Sequence, residues 1–129
     1  MEQLTHLKID TSLCGKLVSC STKEAKVALQ TDSRMVADAE GLIHGGFLFG
    51  AADFAAMCAV NAPNVVLTGS TSRFLAPSRE GDLIEFTAKV TEEDGPKGVV
   101  EVTGVCGERE VFTGTFKTYV TDEHVLKGR

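Results

Sequence analysis

Hydrophobic residues follow two rhythms along this chain. From Leu83 to Thr91, Ile84, Phe86, Ala88 and Val90 alternate with Glu85, Thr87 and Lys89, the period-two pattern of a half-buried antiparallel strand. The rhythm continues downstream. Val100, Val102 and Cys106 share one face of a strand near 97–106, and Phe112, Phe116 and Val120 one face of a strand near 110–121. Asp94 to Gly98 and Gly107 to Arg109 are composed like hairpin turns. The Val-, Thr- and Ser-rich stretch Val65 to Phe74 reads as another strand, and Lys16 to Ser21 with Lys23 to Gln30 as a shorter hairpin. Between the two groups of strands lies a different segment, LIHGGFLFGAADFAAMCAVNAP, from Leu42 to Pro63. Gly45 to Val60 hold one charge, Asp53, among Gly, Ala, Phe, Leu, Met, Cys and Val. A helix apolar on nearly every side belongs inside something. The order predicts an α+β domain in which an antiparallel sheet of five to six strands wraps one central apolar helix.

Composition narrows the function classes. The chain has 129 residues, enough for one domain with a real core, and 43 % of them are hydrophobic. We read residues 1–129 as a single domain with no linker, repeat or low-complexity tract, and with no room before the first strand for a DNA-binding module. A membrane span is rejected for the apolar segment. A mid-span Asp costs about 2.5–3.5 kcal/mol on insertion scales, Ala and Gly drive insertion weakly, and no Lys or Arg cluster flanks the segment. Eighteen acidic residues against 13 basic ones give a net charge of −5, which repels nucleic acid and anionic lipid. Cys14, Cys20, Cys58 and Cys106 lack metal-ligand spacing and read as reduced thiols. With no signal peptide visible at the N-terminus, the expectation is a cytoplasmic protein without a metal or other cofactor.

Asp53 needs a reason, because burying an ionised carboxylate unpaired costs several kcal/mol. At helical spacing it shares a face with Gly46, Phe49, Gly50, Ala56, Met57 and Val60. Gly46 and Gly50 each weaken a helix by roughly 1 kcal/mol, so something is expected to approach the backbone there. At the helix start, His44-Gly45-Gly46 puts unshielded backbone N–H groups at the positive end of the dipole. Such a terminus stabilises the oxyanion that develops when an acyl carbonyl is attacked. A poorly hydrated Asp with a raised pKa can act as nucleophile or as general base on water. Eight residues at about 1.5 Å each separate Asp53 from Gly45 by some 12 Å, too far for one carbonyl. If both act, Asp53 comes from a second copy of the chain.

These residues resemble a known family. HGG followed by FLFGAAD is similar to the motif of the hotdog-fold acyl-CoA thioesterases of the phenylacetate-pathway (PaaI-like) group, with His44, Gly45, Gly46 and Asp53 in the matching places. SRFLAPSREGD, Ser72 to Asp82, resembles that family's strand, Pro loop and Gly-Asp. The resemblance covers nearly the whole chain and implies a hotdog fold, an acyl-CoA substrate, and a homodimer or homotetramer. It implies that Gly45 supplies the oxyanion N–H, that His44 orients the loop, and that Asp53 is contributed across a subunit interface. Many members hold the attacking water with an Asn or Gln six residues before the histidine, where this chain has Asp38. In some relatives a hydroxyl stands one turn after the acid, where this chain has Met57. Thr68 or Ser70 on the following strand are the candidates to replace it.

Hydratase and dehydratase patterns of the same fold are absent, since Ala39 stands where a hydratase Asp would and no Phe-Pro follows His44. Arg73, Arg79 and Lys97 are the cations expected near the phosphates of coenzyme A. Phe47, Leu48 and Phe49, with Met35 and Val36, are candidates for lining an acyl pocket. His6 and His124 are expected to stand idle in solvent. The function expected is acyl-CoA thioester hydrolysis, and the alternative is a non-catalytic acyl-CoA-binding module favoured by Asp38 and Met57.

Overall fold

A computed structural model describes residues 1–129. In chain order it contains α1 (Thr11–Cys14), β1 (Lys16–Ser21), β2 (Glu24–Gln30), a 3-10 turn (Ser33–Met35), α2 (Gly45–Val60), β3 (Val65–Phe74), β4 (Leu83–Asp94), β5 (Lys97–Cys106) and β6 (Arg109–Val120). The six strands form one antiparallel sheet in the order β1-β2-β4-β5-β6-β3. Helix α2 lies against it and touches every strand. This is the α+β hotdog arrangement that the alternation and the apolar helix lead one to expect, with six strands.

The core follows from the two rhythms. Ile84, Phe86 and Ala88 of β4, Val100 and Val102 of β5, and Phe112 and Phe116 of β6 turn inward onto α2. Five alanines of α2 are fully buried beneath them, at Ala51, Ala52, Ala55, Ala56 and Ala59. Small helix side chains let the sheet approach, and the bulk comes from Phe54, Phe86, Phe112 and Phe116, all fully buried. Each such ring contributes roughly 1.5–3 kcal/mol. Helix α2 is apolar on nearly every side because the sheet encloses it on all but the face of Gly46, Gly50 and Asp53. At 16 residues it is the longest helix, and no helix is long and apolar enough to cross a membrane.

Three features depart from the sequence reading. Strands β4 and β5 continue to Asp94 and from Lys97, so the connection is the two residues Gly95-Pro96 and not the five-residue turn expected. Residues 91–97 are exposed on both faces, so the hydrophobic alternation fades while the backbone ladder runs on. The short helix α1 and the 3-10 turn lie in stretches read as loop. Each is too short to show periodicity and is held by a cap, Asp10 accepting from the Ser12 N–H at 2.9 Å and Asp32 from the Arg34 N–H at 2.9 Å. His6 is not idle in solvent. It is half-buried, its ring centroid 6.1 Å from that of Phe54, and burial lowers its pKa. The segment before α1 straps the C-terminal half of α2, which brings His6 to a residue far away in sequence.

Candidate functional site

The N-terminus of α2 is set by backbone stitching on both sides. The His44 N–H donates to Met35 O at 2.9 Å, the Ile43 N–H to Ser78 O at 2.8 Å, and the Ala37 N–H to Leu42 O at 2.7 Å. Met35 is fully buried, so the segment leading into the helix hangs from the core. His44 is the N-cap, with extended backbone and no side-chain capping bond. The first N–H groups of the helix, those of Gly45 and Gly46, have no acceptor within it. They stand free at the positive end of a 16-residue dipole.

The two glycines face two different neighbours. A Cβ on Gly45 would lie 3.1 Å from the Phe74 ring, and one on Gly46 would lie 2.9 Å from His44 Nε2. Phe74 is the last residue of β3 and packs edge-on to Phe112, centroids 5.3 Å apart. The His-Gly-Gly sequence thus lets a β3 ring and the histidine's own ring close onto the helix start. Beside Gly45 opens a cavity of about 330 Å3 with walls from Leu42, Ile43, Leu48, Phe74, Leu75 and Ser78. Its lining residues are apolar apart from Gly45 and Ser78, and the Ser78 hydroxyl is itself buried with no hydrogen-bond partner. Ser78 was not among the residues that the sequence singled out. Its only signal is its place directly after Pro77 in the loop that closes on Ile43.

Asp53 sits mid-helix, two turns from Gly45, about 12 Å away along the axis. Its Oδ1 is buried without a partner. Desolvation alone pushes its carboxyl up from 3.8 to about 6. On the same face, a Cβ on Gly50 would meet nothing within 4 Å, whereas Met57, one turn beyond the acid, is fully buried. The Gly50–Asp53 face is therefore open within one copy of the chain, and Met57 offers no hydroxyl to it.

The structure separates several residues that the sequence grouped together. The exposed Asp38 has its Oδ1 occupied, accepting from the Glu40 N–H at 3.0 Å and the Leu42 N–H at 3.2 Å in a turn of the entry loop. The β3 register shifts between Leu67 and Gly69, leaving Thr68 as the extra residue. Thr68 donates to Lys117 O at 3.2 Å and lines a depression with Lys97, Lys117 and Tyr119, apart from the cavity at Gly45. After the shift, Ser70, Ser72 and Phe74 point to the helix side and Arg73 to the opposite side, as their pairing with Phe116, Gly114, Phe112 and Thr113 requires. Ser70 and Ser72 hydroxyls bond each other at 2.8 Å. Arg79 is exposed, its N–H donating to Asp82 Oδ2 at 2.9 Å, and its loop bridges Leu42 at the cavity wall. Of the acyl-pocket candidates, Leu48 lines the cavity. Phe47 packs against His44, Phe49 against Phe116, and Met35 is sealed in the core.

Known proteins share this arrangement. The model of the thioesterase superfamily matches residues 40–113, from the entry loop through α2 and into β6. Among curated relatives, a methylthioribose-1-phosphate isomerase of Aquifex aeolicus is 48 % identical over 118 residues, which is 92 % of this chain and 26 % of that protein. Transcription factor FapR of Bacillus cereus is 30 % identical over 89 residues, 67 % of this chain and 45 % of that protein. The chain thus spans about a quarter and under half of these relatives. Among solved structures, an uncharacterized protein of Pyrococcus horikoshii has a TM-score of 0.97 at 44 % identity, covering 98 % of this chain and 97 % of its own. A sigma28-regulated virulence protein of Campylobacter jejuni has a TM-score of 0.93 at 38 % identity, covering 96 % of each chain. The PaaI protein from the phenylacetic acid degradation operon of E. coli has a TM-score of 0.80 at 26 % identity, covering 88 % of this chain and 84 % of its own.

Proposed function

The chain belongs to the thioesterase superfamily, and from that premise we propose that it hydrolyses an acyl-CoA thioester at sites shared between two copies of the chain. One observation carries this reading. A carboxylate with a buried, unpartnered oxygen lies on an open helix face, on the same helix whose free N–H groups stand beside an apolar cavity. The thioester carbonyl accepts from the Gly45 N–H, and the Gly46 N–H adds to the field at the helix start. The His44 ring, held against Gly46, keeps that loop in place. Asp53 of the second copy acts in its ionised form, either taking a proton from water as the new C–O bond forms or attacking the carbonyl carbon itself. Collapse of the tetrahedral intermediate breaks the C–S bond, and the thiolate of coenzyme A leaves and is protonated; where Asp53 itself attacked, water then cleaves the acyl-Asp53 anhydride, releasing the free acid and restoring the carboxylate. The cleft needs no cofactor for these steps. Two copies forming one site supports a homodimer, and a homotetramer of two such pairs keeps the same sites.

A second reading is favoured by Asp38, whose Oδ1 is taken up by two backbone N–H groups of its own turn, and by the buried Met57, which offers no hydroxyl: a non-catalytic module that binds acyl-CoA as a sensor or assembly component. A free-thiol assay on short, medium, long and aryl acyl-CoAs, run beside Asp53→Ala and Asp53→Asn, decides between them. Hydrolysis is expected from the wild type, with a loss of at least about a hundredfold in both variants. Saturable acyl-CoA binding without thiol release would establish the binding module instead.

A further inference from the structure

We propose that Leu48 sets the length of the acyl group: the cavity beside Gly45 takes an uncharged apolar acyl chain of about four to eight carbons, whose far end meets the Leu48 side chain. This deepens, and rests on, the reading of that cavity as the acyl site. Gly45 belongs both to the free helix start and to the cavity wall, so a thioester whose carbonyl is held there has its acyl chain at the cavity mouth. The cavity has a rim and a floor. Leu42, Phe74 and Leu75 are 41 %, 52 % and 48 % exposed, whereas Ile43 and Leu48 are 5 % and 3 % exposed. A chain entering past the first three ends against the last two.

Leu48 stands three residues beyond Gly45 in the same helix, about 4.5 Å along its axis. That spacing leaves a few carbons of room between the carbonyl and the leucine. The surrounding walls are tied and cannot retreat before a longer chain. The Ile43 N–H donates to Ser78 O at 2.8 Å, the Leu75 N–H to Val111 O at 2.9 Å, and the Glu80 N–H to Gly41 O at 2.9 Å. The Phe74 ring is held edge-on to Phe112, centroids 5.3 Å apart. At about 330 Å3 the cavity is at the small end of ligand sites, which suits a short chain. An apolar chain gains with every methylene buried until the floor stops it. No charged side chain lines the cavity, so a carboxylate-bearing acyl group would be buried without a counter-ion.

A chain-length series tests this. Acetyl-, butanoyl-, hexanoyl-, octanoyl-, dodecanoyl- and palmitoyl-CoA, with succinyl-CoA as the charged four-carbon control, are offered to the wild type, Leu48→Ala and Leu48→Phe. Thiol release is one readout. Calorimetric binding of the matching 2-oxoalkyl thioethers of coenzyme A, which keep the carbonyl and cannot be hydrolysed, is the other. For the wild type, affinity and kcat/KM should rise about threefold per added carbon to an optimum between butanoyl and octanoyl. Dodecanoyl should fall at least tenfold below that optimum, and succinyl at least tenfold below butanoyl. Leu48→Ala should move the optimum to longer chains and raise the dodecanoyl-to-octanoyl ratio at least fivefold, while Leu48→Phe should move it to shorter ones. Shifts of opposite sign at one position report the floor of a site, since a loosened core would weaken all lengths together. Should Leu48→Ala fail to fold, Leu48→Val carries the same comparison. An optimum that neither substitution moves, a wild-type preference for palmitoyl or succinyl, or no binding of any thioether overturns the proposal. Length discrimination that follows residue 48 in a protein releasing no thiol upholds it and removes the hydrolase reading alone.

Discussion

Asp53 is where sequence, burial and chemistry meet in one side chain. Desolvation raises its carboxyl from 3.8 to about 6, and that shift has consequences of opposite sign for activity and for stability. As a base or nucleophile it must be ionised, so kcat/KM should climb with pH and level off above about 6. Stability runs the other way. Below about 4 the acid is protonated in both folded and unfolded chains. As pH rises to about 6 the unfolded chain ionises first, and the folded state loses about 1.4 kcal/mol per unit, roughly 3 kcal/mol in all. Asp53→Asn has no charge to lose. It should melt several degrees above the wild type at pH 7.5 and level with it at pH 4, while being inactive. Comparing the two proteins at each pH cancels the other carboxylates, including Asp10 and Asp32, whose pKa values are lowered by hydrogen bonds from Ser12 and Arg34. A gap that is the same at both pH values would show that Asp53 is not held in a desolvated site.

At the scale of elements, α2 owes its place to both of its ends. Its C-cap Asn61 adopts the left-handed conformation, φ 52° and ψ 46°, and its N–H donates to Met57 O. The same side chain holds the N-terminal strap, accepting from the Leu4 N–H and donating to Glu2 O, both at 2.8 Å. Asn61→Gly keeps the backbone and loses the strap, while Asn61→Ala loses both. Thermal melting should rank wild type, then Gly, then Ala, with about 1 kcal/mol or some 4 °C between the two variants. Ala melting as high as Gly would mean that the left-handed turn is unimportant. The strap also marks the limit of what the sequence discloses. The central helix was legible because enclosure on most sides leaves it almost wholly apolar, and β4, β5 and β6 because one face of each meets that helix. His6 was illegible because its partner, Phe54, is supplied by the fold and not by neighbouring residues. On β3 one extra residue at Thr68 reverses the alternation, which no period-two reading of that strand could show. Asp38 drew notice through the family resemblance, and its Oδ1 also holds the entry turn. The His-Gly-Gly and Asp53 constellation was legible as composition, but the rings that lie against each glycine, Phe74 and His44, come from packing.

For the molecule as a whole, one geometric fact remains decisive: α2 carries both an N–H donor set and an acid, about 12 Å apart, with Gly50 beside the acid facing open space. A single copy cannot bring both to one carbonyl. Two copies related by a two-fold axis can, and symmetry then provides two equivalent sites, each drawing Gly45 from one chain and Asp53 from the other. Complementation follows. Gly45→Val drives a side chain into Phe74, which a Cβ would already approach to 3.1 Å, and should close the carbonyl site without touching Asp53. Asp53→Asn removes the acid without touching Gly45. Each variant should be inactive alone. When equal amounts are unfolded and refolded together, half of the dimers are mixed, and in each of these one site carries both lesions and the other neither. Specific activity should therefore return to about a quarter of the wild-type value. A monomer by sedimentation, or a mixture as dead as its parts, would place both groups in one chain's own site or none, and the 12 Å gap makes the first of these impossible.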